Sequence, residues 1–118
     1  MGPGVRRWAI GLLLLSLATL PAVSFAQSIA VRVVQGTVQD TDSKPIANAV
    51  VYLQDQKSQG VRTFITEANG SYRFGQLSSD VDYQLWAELK GHKSKTRSIS
   101  SFDSKKQFQF DLKIDLSK

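Results

Sequence analysis

The clearest pattern in the chain is a strict alternation of large apolar and polar residues, Phe108-Gln109-Phe110-Asp111-Leu112-Lys113-Ile114-Asp115-Leu116. Period two marks a strand with one face buried. In a strand Phe108, Phe110, Leu112, Ile114 and Leu116 share one face, whereas on a helix they would scatter around the axis. The same period predicts strands over Val33–Asp40 (Val34, Gly36 and Val38 on one face), Ala47–Gln54, Val61–Glu67, Ser71–Leu77 and Val81–Leu89. Within them Ala49, Val51, Leu53, Tyr72, Phe74, Val81, Tyr83, Leu85, Ala87 and Leu89 point inward, and Val50, Tyr52 and Trp86 outward. A weaker strand is expected near Thr96–Ser100. Turn chemistry separates them: Thr41-Asp42-Ser43-Lys44-Pro45, a polar Asp55–Gly60 loop, and Ala68-Asn69-Gly70, whose Asn-Gly pair accepts positive φ. About seven short strands at this spacing, with no helical period after residue 26, predict an all-β sandwich or barrel.

The first 26 residues read differently. Arg6 and Arg7 precede an apolar run, Trp8–Leu20, broken only by Ser16 and Thr19 and closed by Pro21. Ser24-Phe25-Ala26 then places small residues three and one before a cut at Gln27. This three-part order is that of a cleaved secretory signal. A membrane anchor is the competing reading, but a spanning helix needs about 20 apolar residues, and this run is shorter. The expected organisation is a signal helix at 1–26, a lead-in at 27–32 that could also extend the first strand, and one domain at 33–118. The expected location is periplasmic or secreted, with no membrane span after cleavage.

Composition narrows the class. The chain has 118 residues and a formal charge of +5. All its acids and all but two of its bases follow residue 26, leaving +3 on the domain, too mild and too scattered for a nucleic-acid binder. There is no Cys, so no lipid attachment follows the cut and no disulfide supports the small core that secreted domains often staple.

The order of residues also carries a resemblance. Gly36-Thr37-Val38-Gln39-Asp40 is followed by Lys44-Pro45-Ile46-Ala47-Asn48-Ala49-Val50-Val51-Tyr52-Leu53, then Thr66-Glu67-Ala68-Asn69-Gly70-Ser71-Tyr72-Arg73-Phe74, Leu77, Tyr83-Gln84-Leu85 and Lys90-Gly91-His92. This resembles the carboxypeptidase regulatory-like domain over about residues 34–92, with His92 departing from the usual aromatic. The resemblance implies a seven-stranded, Greek-key, transthyretin-like sandwich. Its motif residues specify the fold and say little about function. Some related sandwiches carry a Lys–Asn cross-link, but the final strand has no Asn.

Candidate chemistry is sparse. His92 is the only His, which excludes a His cluster, and it fits a loop or core-edge imidazole better than a catalytic one. The carboxylates are scattered over turns and outward positions. Asp80 and Asp82 could hold a Ca²⁺ loosely, but they lack a fuller oxygen set, and turn chemistry explains them better. No catalytic residue, metal or cofactor is expected. The basic stretch bearing Lys93, Lys95 and Arg97 could meet an anionic surface or simply be a solvated loop. Trp86, Tyr52 and Phe64 are candidate outward aromatics for an interface or a sugar. The expected function is a non-catalytic binding module with an unidentified protein partner at the cell envelope; the alternative is a carbohydrate-binding module.

Overall fold

A computed structural model describes residues 31–117. The signal segment, most of the lead-in and Lys118 lie outside the described residues. Nine strands run in chain order: β1 (Val31–Gln39), β2 (Val50–Asp55), β3 (Val61–Ile65), β4 (Ser71–Ser78), β5 (Tyr83–Leu89), β6 (His92–Lys93), β7 (Arg97–Ile99), β8 (Gln107–Gln109) and β9 (Leu112–Lys113). Two sheets face each other, ordered β4-β1-β8 and β3-β2-β5-β6. β9 continues β8 along β1, and β7 continues β6 along β5. Counting each interrupted pair as one pass gives the seven passes that the sequence pattern predicts, in an all-β sandwich. β1 begins at Val31, so Val31 and Arg32 extend the first strand.

The period-two residues build the core. Val34 and Val38 from β1, Val51 and Leu53 from β2, Tyr72 and Phe74 from β4, Leu85 and Ala87 from β5, and Phe108, Leu112 and Ile114 from the last pass are all buried between the sheets. Val81 is buried too, but from the loop before β5. Leu89 is only half-buried and packs on the core margin.

The last pass departs from one unbroken alternating strand. Leu116 is 40% exposed, because the chain leaves the sheet after β9 and turns. The break between β8 and β9 has a definite cause. In a parallel ladder the Phe110 carbonyl would accept from Thr37 N–H. Instead it swings across Gly36 and accepts from the Tyr72 hydroxyl at 2.6 Å. A Cβ on Gly36 would collide with that carbonyl. The Thr37 N–H is taken over by the Asp111 carboxylate at 3.2 Å. Burial pushes the Tyr72 phenol well above its ordinary pKa, which keeps it a neutral donor.

At the opposite end of β1, Arg32 is 2% exposed. Its guanidinium donates to the carbonyls of Ser100, Ser78 and Val81, each at 2.7 Å, and lies over the Phe108 ring at 5.7 Å. One side chain thus ties together β1, the end of β4 and the loops before β5 and after β7. Its Nε has no partner among the described residues.

Candidate functional site

The outer face of the β3-β2-β5-β6 sheet carries the predicted aromatic pair. Alternation along β2 sends Val51 and Leu53 into the core and Val50, Tyr52 and Gln54 outward. Along β5 it buries Leu85 and Ala87 and turns out Gln84, Trp86 and Glu88. Tyr52 and Trp86 are direct cross-strand partners. Their rings stack with centroids 5.4 Å apart and planes 12° from parallel, a geometry that adds to simple burial. Lys93 comes from β6, opposite Glu88, and its Nζ lies 5.0 Å from the Trp86 ring centroid. The indole Nε1 donates to Glu88 Oε2 at 2.9 Å. Trp86 therefore has Tyr52, Lys93 and Glu88 already packed around it, and both aromatic residues are half-buried.

Beside them β3 adds Val61 and Ile65 on the same face, 49% and 62% exposed, with Thr63 between them opposite Tyr52. Phe64 does not join this face. It pairs with Val51, turns toward the core and meets Phe74 edge-on at 6.1 Å. Its place follows from parity, since Phe64 is one residue out of step with Thr63. Sequence reading did not single out Val61 and Ile65. Their signal was present, two exposed β-formers alternating with Arg62 and Phe64, but parity alone does not say which face is covered.

The basic candidates gather along the β6–β7 edge, with Lys93 also reaching over Trp86 on the outer face. The β6–β7 pass is a β-bulge: Lys93 opposes Glu88, while Arg97 opposes Leu85, leaving one extra residue around Trp86. Ser94 is buried at the bulge, its N–H donating to the Ala87 carbonyl and its hydroxyl accepting from Ala87 N–H at 2.9 Å. The extra residue rotates Arg97 toward the flank of the sandwich, where its guanidinium covers Phe110 at 4.3 Å. Lys93, Lys95 and Arg97 then line a cleft of about 410 Å³ with Lys113, Asp111 and Asp115. The charges are mixed, so it is no single-sign anion trap.

Other candidates take structural roles. Asp82 Oδ1 accepts from Ser101 N–H at 2.6 Å. That bond, helped by the nearby Arg32 charge, lowers its pKa below the usual carboxylate range. Asp55 is lowered in the same way by the Ser58 and Lys57 N–H groups of its own turn. His92 closes a hairpin on Leu89 through a two-residue turn, Lys90-Gly91, with φ of 52° and 82°, the primed geometry that suits twisted strands. Among the described residues no three His, Cys, Asp or Glu side chains gather into a metal-holding group.

Known proteins fit this geometry. The family model described as the carboxypeptidase regulatory-like domain matches residues 33–114. No curated protein matches in sequence. Among solved structures, the major pilin subunit of Bacillus cereus, BcpA, is similar at 14% identity and a TM-score of 0.58, over 75% of this chain and 31% of that one. A C-terminal fragment of the pilus adhesin SpaC from Lactobacillus rhamnosus GG is similar at 12% identity and a TM-score of 0.51, over 74% and 45%. Catechol 1,2-dioxygenase from Acinetobacter sp. ADP1 is similar at 16% identity and a TM-score of 0.56, over 75% and 53%. The chain spans about half of the dioxygenase or less of the other two, and at these identities the likeness is one of fold. With most of its length matched and the predicted sandwich in place, the chain belongs to the carboxypeptidase regulatory-like domain family.

Proposed function

We propose that this protein is a non-catalytic, exported interaction module that binds another protein through the outer face of its β3-β2-β5 sheet. The observation that carries the reading is the packing of that face: a Tyr52–Trp86 stack flanked by exposed Val61 and Ile65. Interfaces favour half-buried Tyr and Trp anchors surrounded by apolar contacts. Export is supported by the signal pattern at the start of the sequence. The presence of a pilin subunit and a pilus adhesin fragment among the structural neighbours is in keeping with a place at the cell envelope.

The carbohydrate reading keeps one observation in its favour, the clustering of Tyr52 and Trp86 on one exposed face. Against it, a sugar stacks on an open ring face, and Trp86 has Tyr52 stacked on it and Lys93 over it. A sugar would have to displace the lysine. Affinity capture from the native envelope tests both readings. A protein captured by the wild type and lost with Trp86→Ala, alongside a blank glycan array, supports the protein reading. Glycan hits that disappear in the same variant would replace it with the sugar reading.

A further inference from the structure

A sandwich of two open sheets has four edges, and three of them are broken in the middle. The β4 edge bulges where Gly75 and Gln76 both oppose Val33, with Gln76 at φ 59° and the Gly75 carbonyl accepting from Arg62. The β6–β7 edge bulges beside Trp86 and carries Lys93, Lys95 and Arg97. The β8–β9 edge is interrupted at Phe110–Asp111. Bulges, breaks and lysines are the usual means of stopping strands of different molecules from pairing. β3 has none of these. It is regular over all five residues, contains no Pro, Gly or Lys, and pairs with β2 without a slip. Its one charge, Arg62, reaches back across its own molecule to Gly75 and the Phe74 ring.

The hydrogen-bond parity of β3 says which of its groups are free. Asp55 N–H donates to the Gly60 carbonyl and Thr66 N–H to the Ala49 carbonyl. Bonded pairs alternate in an antiparallel ladder, so between those two points Arg62 and Phe64 exchange bonds with β2. The N–H and C=O groups of Val61, Thr63 and Ile65 therefore point out of the free edge.

We infer that β3 pairs antiparallel with the β3 of a second copy of this chain, about a two-fold axis at Thr63. The sequence of the strand is self-complementary in that register. Val61 meets Ile65 of the second copy, Thr63 meets Thr63, and Arg62 meets Phe64, so apolar, hydroxyl and cation–aromatic pairs each find a match. The three residues brought opposite one another are the three with outward backbone groups, so six bonds form with none left over. The outer faces of the two sheets join into one, with a Tyr52–Trp86 stack on each half. A five-residue strand buries less than the roughly 1,600 Å² of a standard interface, so the dimer dissociates on dilution.

Amide hydrogen exchange and sedimentation, each across a wide concentration range, test this. Arg62 and Phe64 amides should be protected throughout, while Val61, Thr63 and Ile65 should become protected only as the dimer forms. Dimerisation that leaves those three amides exchanging, or a monomer at all concentrations, overturns the inference. Thr63→Pro removes an outward N–H without costing a bond to β2 and should give a folded monomer. Ile65→Lys, a milder change at the same edge, should weaken association at least tenfold. A Thr63→Pro or Ile65→Lys protein that dimerises like the wild type would equally overturn it.

Discussion

At the scale of single residues, two positions hold more of the fold than their size suggests. Gly36 is required because the Phe110 carbonyl passes over it to reach the Tyr72 hydroxyl. Gly36→Ala must either push that carbonyl back or shift β8 and β9 away from β1. The expected loss is about 1–3 kcal/mol, read as a lower urea midpoint. Arg32 satisfies three carbonyls of three different segments. Arg32→Ala removes charge-assisted bonds worth roughly 1.5–3 kcal/mol each at most, and Arg32→Lys should recover only part, since an ammonium lacks the planar fork. Asp82 gives a pH signature. Its pKa is lower folded than unfolded, so its contribution is present above the ordinary carboxylate value and is lost as pH falls through the folded one. Asp82→Asn should flatten the fall in stability below about pH 4, and an unchanged acid limb in urea titrations would show that the Ser101 bond does not matter. Trp86→Ala should keep the native circular dichroism spectrum, because the indole lies on the outer face and not among the core residues.

At the scale of elements, what was legible in the sequence was parity. The alternation in β1, β2, β4 and β5 follows from which residues are large and apolar, and the structure keeps it except at the buried Arg32, the Gly75–Gln76 bulge of β4 and the half-buried Leu89. The interruptions were not legible. Nothing in Phe108–Leu116 announces that a carbonyl leaves the ladder at Phe110, because the cause lies 38 residues away in the Tyr72 hydroxyl. Only part of Lys90–Lys106 was legible: the strand expected near Thr96–Ser100 forms as β7 with Ile99 buried, whereas β6 is two residues long and the residue buried at the bulge is a serine. Arg32 was equally hidden, because a basic residue at a strand start gives no hint that three carbonyls converge on it. The site was half legible for the same reason: Tyr52 and Trp86 could be placed by parity, whereas the company of Val61, Ile65 and Lys93 depends on which strands are neighbours. The β6–β7 bulge allows a test at this scale. Deleting Lys95 removes the extra residue while keeping Ser94 and Arg97 opposite their present partners. The resulting straight edge should raise the apparent mass in light scattering, and a variant as dispersed as the wild type would show that the bulge does not guard the edge.

At the scale of the whole molecule, a core without disulfides has little reserve. Net stability of a domain this size is on the order of 5–15 kcal/mol, and Leu53, Leu77, Leu85 and Leu112 are almost fully buried. Truncating any one of them to Ala should cost ~2–5 kcal/mol, seen as a fall of many degrees in the thermal midpoint. The parallel pairing of β1 with β8 and β9 has a further effect, on time rather than stability. The two partners are separated by 74 residues, while β2–β3 and β5–β6 are closed by short turns. Contacts between distant segments are slow to form, and sheets dominated by them fold in milliseconds to seconds. Synthesis from the N-terminus delivers β1 early and its parallel neighbour last. For that interval one whole side of β1 stands open, and the hairpins of the other sheet form before the strand at the centre of the first has found its second partner.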